Sequence, residues 1–219
     1  MRAFVFPGQG SQKIGMGMEL AAASSAAREV FEEVDDALGQ KLAAIMAEGP
    51  EETLTLTENA QPAIMANAIA TLRVLERDFG IVLADKADYV AGHSLGEYTA
   101  LCAVGAFSLS DTARLLKLRG RAMQAAVPVG MGAMCALLGG SVADAEKLAE
   151  EAATDPATGV KEVCTLANDN DPTQVVLSGH AGAIERAIVL AKELGFRRAV
   201  PLPVSAPFHC PLMAPAAAE

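Results

Sequence analysis

The stretch DYVAGHSLGEYTAL, residues 88–101, sets Ser94 between Gly92 and Gly96, directly after a short apolar run. A strand that turns at once into a helix leaves almost no room for side chains at the turn, and glycines on both flanks meet that demand. Strand, turn and helix in that order predict a parallel α/β sheet, in which sites form at the carboxyl ends of strands. Ser94 would sit at such an end, its hydroxyl lifted above the sheet and onto a helix N-terminus. Two uses fit that position: a nucleophile, with the backbone N–H of Leu95 available to an oxyanion, or a capping serine in a glycine-bounded turn.

The surrounding chain supports the same fold class. Residues 2–6 form a short apolar run ending in Pro7-Gly8, as a buried strand entering a loop does. Helical spacing predicts a helix from about Glu19 to Leu38, and another opening at Pro62 and running to Gly80. After the strand and helix around Ser94, a helix capped by Ser110 is expected to run to about Ala126. Beyond Pro128 the texture changes. GAMCALLG reads as strand, Ser141 to Ala152 as helix, EVCTLAN and TQVVLSG as strands, Ala183 to Leu194 as helix, and RRAVPLPV as strand. That β-α-β-β-α-β order is the split βαβ pattern of a small ferredoxin-like unit, expected over residues 128–204 as an insertion. The main domain then comprises residues 1–127 and 205–219. The ending CPLMAPAAAE reads as the start of a helix, so a longer polypeptide is expected.

Charge and cysteine usage narrow the function. A net charge of -10 argues against nucleic acid as a partner, because phosphate neutralisation needs a basic face. No apolar run approaches the length of a membrane span, and the N-terminus lacks a signal-peptide layout, so a soluble cytoplasmic protein is expected. Cys102, Cys135, Cys164 and Cys210 are scattered, without metal-ligand spacing. They read as buried free thiols, and no metal is expected.

If Ser94 is a nucleophile it needs a base, and the chain has three histidines. His93 is adjacent to Ser94 and should point away from it. His180 reads as an exposed loop residue. His209, in VSAPFHC, lies where the chain would re-enter the main sheet, and elimination and position favour it. A third member drawn from Asp144, Asp155, Asp169 or Asp171 would have to come from the inserted unit, so a backbone carbonyl is the other way to orient the imidazole. The loop Gly8-Gln9-Gly10 lacks the signatures of phosphate binding and would instead offer the Gln9 N–H to an oxyanion. Arg119 stands among Arg114, Lys117 and Arg121, which by default form a solvated helix face. Its functional use would be a bidentate grip on a carboxylate.

Taken together, FVFPGQGSQ, QPA, GHSLGEYTAL, LRGRAMQ, PTQVVLSG and VSAPFH, in this order from Phe4 to His209, closely resemble the malonyl-CoA:acyl carrier protein transacylases of fatty acid synthesis. The resemblance implies an α/β-hydrolase-like domain with a ferredoxin-like insertion. It also implies a ping-pong acyltransferase that moves malonyl from coenzyme A to the phosphopantetheine thiol of acyl carrier protein. Ser94 matches the family's nucleophile and His209 its base. Gln9 and Leu95 match the oxyanion-hole residues, and Arg119 the arginine that holds the malonate carboxylate. Gln61 and Asn168 resemble residues near the site, and Phe208 would crowd out a methyl branch on the α-carbon. No cofactor is expected beyond the coenzyme A thioester as substrate, and a monomer is expected. Lys192, Arg197 and Arg198 are the basic residues offered to acidic carrier protein. The family continues past Glu219, through a carbonyl that orients the histidine and a later G-P-G turn. The alternatives are a serine esterase or thioesterase, or an inactive carrier-protein-docking fragment.

Overall fold

The computed structural model describes residues 1–204 and 206–219, and the chain divides into two compact units, Met1–Arg121 and Ala122–Glu219. The fold is mixed α/β, with a parallel sheet in the first unit and an antiparallel one in the second. Among the described residues no helix is long and apolar enough to cross a membrane.

In the first unit β1 (Ala3–Phe6) lies parallel to β2 (Tyr89–Gly92), with Phe6 opposite Gly92. The crossover between them carries α1 (Met18–Ala23), α2 (Ser25–Leu38), α3 (Leu42–Glu48), α4 (Glu51–Thr55), α5 (Thr57–Phe79) and α6 (Leu83–Lys86). After β2 come α7 (Gly96–Ala103) and α8 (Leu109–Ala126), within which the first unit ends. Val30, Phe31 and Val34 of α2 share a buried cluster with Ile64, Met65 and Ile69 of α5, Leu95, and Leu116 of α8.

Several boundaries differ from those that spacing predicts. The helix expected over 19–38 is two helices, because Ser24 is extended (φ -134°, ψ 131°) and its hydroxyl accepts the Ala26 N–H. The same hydroxyl donates to Asp78 at 2.6 Å, so a partner far along the chain holds the break. Helix α5 opens at Thr57 rather than Pro62, and the proline is accommodated within it. Helix α8 is capped by Ser108, which accepts the Asp111 N–H at 3.0 Å and donates to the Asp111 carboxylate, while Ser110 turns to Glu33. The short helices α3, α4 and α6 span too few turns for a period to declare itself.

In the second unit the order is β3 (Gly132–Leu138), α9 (Val142–Ala152), β4 (Cys164–Asp171), β5 (Gln174–His180), α10 (Ala181–Glu193) and β6 (Arg198–Pro201). A 3-10 turn at Pro211–Met213 and α11 (Ala214–Ala217) follow. The strands line up β4-β5-β3-β6, every neighbouring pair antiparallel. The central strands β3 and β5 are buried on both faces. Cys135, Leu137, Val175 and Leu177 pack under α9 and α10, while Met134, Ala136 and Val176 face Met123, Val127, Phe208 and Met213. Burial on both faces is why β3 reads as a continuous apolar run instead of alternating.

One backbone contact ties α8 to the start of α5. A Cβ on Gly120 would lie 2.5 Å from Glu58 Cα, 2.7 Å from Glu58 N and 2.8 Å from the Thr57 carbonyl oxygen. All three are backbone atoms, so nothing flexible can yield. Gly120→Ala is therefore expected to destabilise the protein by about 1–3 kcal/mol, as overpacking does. Gly182→Ala, whose nearest neighbours are the side-chain ends of Glu162 at 3.3 Å and Arg186 at 3.5 Å, should change stability little. Denaturant titration of both variants checks the contrast.

Candidate active site

The turn after β2 is as tight as its glycines imply. A Cβ on Gly92 would fall 1.9 Å from the carbonyl carbon of Gly96, and one on Gly96 would fall 2.4 Å from the Phe6 carbonyl oxygen. Strand β2, the end of β1 and the first turn of α7 thus meet backbone to backbone, and the His93 N–H donates to Phe6 O at 3.0 Å. Between the two glycines Ser94 adopts φ 54°, in the left-handed region that a residue with a Cβ rarely enters. Such strain persists only where the surroundings impose it, and it gathers at functional sites. Leu95 buries its side chain, leaving its backbone N–H in the first turn of α7, where helix N–H groups lack intrahelical partners.

Around Ser94 the first unit gathers four of the residues expected from sequence. Arg119 Nη2 donates to Ser94 Oγ at 3.1 Å and its Nη1 to Gln61 Oε1 at 2.6 Å. Gln61 Nε2 donates to Thr57 Oγ1 at 3.0 Å, and Thr57 Oγ1 donates to Gln9 Oε1 at 2.8 Å. The Arg119 guanidinium also lies over the Tyr98 ring, 5.7 Å from its centroid. Burial pulls the Arg119 pKa down, opposed by Tyr98 and Glu97. An arginine starts so high that it remains a cation.

The three histidines separate clearly. His93 is exposed, its ring beside Gly8, where an added Cβ would stand 2.5 Å from Nδ1. His180 is the last residue of β5 rather than a loop residue, and its Nδ1 accepts the Val163 N–H at 2.8 Å. Its role is structural: it ties that strand end to the chain entering β4. His209, in the second unit, is exposed and adopts φ 57°. Among the described residues Ser94 and His209 are the two non-glycine residues with positive φ.

The remaining expectations fall in the second unit as well. Phe208 is 6% exposed, within the apolar cluster of Met134, Val176 and Met213. Asn168 sits half-buried on β4 at a register shift against β5. Three of the four aspartates considered for a triad have local employment. Asp144 closes the capping box of α9, Asp155 accepts from Ala157 and Thr158, and Asp171 accepts from Thr173. Hydrogen bonds hold all three carboxyls below the ordinary range. Asp169 is exposed on β4. Burial pushes the thiols of Cys135 and Cys164 up to about 12 and about 11, which removes both as nucleophiles near neutral pH. Among the described residues no group of three or more His, Cys, Asp or Glu could hold a metal ion.

Thr57, Tyr98 and Gly120 were not legible as site residues. Tyr98 lies one helical turn after Ser94, and Gly120 directly follows Arg119, so spacing held a partial signal for each. Thr57 carried none.

A family model described as acyl transferase domain matches residues 3–219. The chain is 50% identical over 215 residues to a malonyl CoA-acyl carrier protein transacylase of Bacillus subtilis (strain 168), covering 98% of this chain and 65% of that protein. It thus spans about two thirds of the length of that curated relative. A crystal structure of an acyl-carrier-protein-S-malonyltransferase from Bartonella henselae aligns with TM-score 0.91 and 56% identity, covering 100% of this chain and 68% of that one. A malonyl-transacylase in complex with a type II PKS acyl-carrier protein aligns with TM-score 0.90 and 42% identity, covering 99% of this chain and 67% of that one.

The turn of α5 that carries Gln61 is held to α8 by charge. Lys117, expected on a solvated face, is only 8% exposed, and its Nζ meets Glu58 at 3.0 Å and Asn59 Oδ1 at 2.9 Å. Arg121 donates to the same Glu58 carboxylate at 2.9 Å. Burial raises the Glu58 pKa, but the hydrogen bonds and charges of Arg121 and Lys117 outweigh it and the net shift is downward. A carboxyl depressed on folding stabilises the native state above its unfolded pKa, and that stabilisation is lost as pH falls through the folded value. Glu58→Gln should therefore be less stable than wild type at about pH 7, with the difference shrinking toward about pH 3, as denaturant titration at both pH values would show.

Proposed function

This chain belongs to the acyl transferase domain family, and from that premise we propose that it moves malonyl from malonyl-CoA to the phosphopantetheine thiol of acyl carrier protein, in fatty acid biosynthesis. Ser94 Oγ attacks the thioester carbonyl while His209 takes its proton. The tetrahedral oxyanion is held by the backbone N–H groups of Gln9 and Leu95. Collapse breaks the C–S bond, His209 returns the proton to the departing coenzyme A sulfur, and a malonyl ester remains on Ser94. The carrier-protein thiol then attacks that ester by the same steps, giving up its proton to His209, and Ser94 leaves with the proton restored. The positive φ shared by Ser94 and His209 supports pairing them as nucleophile and base.

The observation that carries this proposal is the Arg119 guanidinium, within hydrogen-bond distance of Ser94 Oγ and largely shielded from solvent. An acyl group esterified to that oxygen brings its far end within reach of a cation. A carboxylate there neutralises the cation, whereas a neutral acyl chain leaves it without a counter-charge. That favours malonyl over acetyl. Phe208, fixed in an apolar cluster, is the proposed wall against an α-methyl branch, and Gln61 and Asn168 have supporting roles. No resident cofactor takes part.

The strand order β4-β5-β3-β6 with α9 and α10 on one face supports a ferredoxin-like unit over residues 128–204. Residues 1–127 and 205–219, of which 205 lies outside the described residues, are assigned to an α/β-hydrolase-like main domain. We place the protein in the cytoplasm, as a monomer. Lys192, Arg197 and Arg198 are all exposed and supply the docking surface for an acidic carrier protein.

Brief mixing with radiolabelled malonyl-CoA should leave label on Ser94, lost in Ser94→Ala; an unlabelled wild type, or free malonate released independently of carrier protein, contradicts the proposal. Arg119→Ala should lose about 100-fold of malonyl transfer while largely sparing acetyl transfer. Equal loss for both would remove the carboxylate clamp. Transfer to carrier protein should also weaken with added salt, and Arg197→Glu with Arg198→Glu should flatten that dependence.

A further inference from the structure

The hydrogen bonds leading away from Arg119 run in one direction only. A guanidinium can donate but not accept, so Gln61 must present its amide oxygen to Arg119. Its NH2 then faces Thr57, whose hydroxyl accepts that bond and has its own proton left to give to Gln9 Oε1. The polarity of every link follows from the fixed charge at its head, and each donor is polarised by the link before it. Thr57 is fully buried and Gln61 is 1% exposed, so water cannot readily replace either. The chain ends on the side chain of the residue whose backbone N–H is offered to the oxyanion.

We infer that Thr57 is a positioning residue that couples the carboxylate grip of Arg119 to the placement of the Gln9 oxyanion donor. The inference rests on the acyl-transfer proposal and adds a residue to it. Thr57 touches neither substrate nor reacting atoms; it acts through the amides on either side. It is also the first residue of α5, and its carbonyl oxygen lies against Gly120 on α8, so its hydroxyl is placed by backbone packing rather than by a flexible stem. Replacing the hydroxyl by a methyl of similar shape removes a hydrogen-bond partner from the buried Gln61 amide and from the half-buried Gln9 side chain at once. Both ends of the site then loosen. The Gln9 end serves every acyl group, whereas the Arg119 end serves only acyl groups bearing a carboxylate.

The test follows Ser94 ester formation from malonyl-CoA and, separately, acetyl-CoA in the full chain and its variants. Thr57→Val should slow acetyl labelling at saturating thioester about tenfold, the signature of a misplaced oxyanion donor. It should also raise the half-saturating malonyl-CoA concentration about tenfold, so that the preference for malonyl falls. Thr57→Ser, which keeps the hydroxyl, should return both to near wild type. Gln9→Leu cuts the far end of the chain without touching α5 and should reproduce the slow acetyl labelling even where Thr57→Val does not fold. Unchanged kinetics in Thr57→Val or Gln9→Leu, or a serine variant no better than valine, overturns the inference. A wild type that takes no label overturns the acyl-transfer proposal itself, and this inference with it.

Discussion

The contact on which the first unit depends is between backbones. Gly92, Gly96 and the carbonyl of Phe6 approach so closely that no Cβ fits at either glycine. That approach sets the entry of α7 against β1 and β2, and between the two glycines Ser94 takes a left-handed conformation. A serine elsewhere on a helix would hydrogen-bond its own backbone. Here the turn presents the hydroxyl to Arg119. Gly120 plays the corresponding part on α8. By letting that helix touch the backbone at Thr57 and Glu58, it brings Arg119 within reach of both Gln61 and Ser94.

A cation so placed organises its surroundings. Because it can only donate, it dictates which way the Gln61 amide faces and, through Thr57, which way Gln9 faces. Tyr98 lies under its face. The same helix holds a second charge cluster, Lys117 and Arg121 on Glu58, which fastens the beginning of α5 where Thr57 and Gln61 stand. Structural and site-forming charges thus alternate along α8, according to the face each occupies.

Much of the second unit was legible because its strands and helices are bounded by glycine, proline and serine, and because the central strands β3 and β5 carry apolar residues on both faces. The first unit was harder. The break at Ser24 is invisible to helical spacing, since the apolar period runs straight through it and the bond that stabilises it comes from Asp78 on α5. Helix α5 begins upstream of its proline because the preceding turn, Thr57 to Gln61, is packed against α8, which no local propensity records. His180 misled for a related reason: its ring nitrogen is engaged by a backbone N–H seventeen residues away.

What the sequence by itself determined was local chemistry. It carried the glycine-flanked serine at a strand end, the loop with Gln9, the arginine before a glycine on a helix, and the alternation of strand and helix after Pro128. Each depends on neighbours within a few residues, where steric and hydrogen-bonding rules are strong. Only the tertiary structure decided that Lys117 is buried and Arg114 exposed, that Arg119 rests on Ser94, and that a threonine without any motif joins Gln61 to Gln9. A polar side chain can satisfy its valences with water or with any of many partners. Which it meets is settled by how helices pack, information held by the whole chain and by no one segment of it.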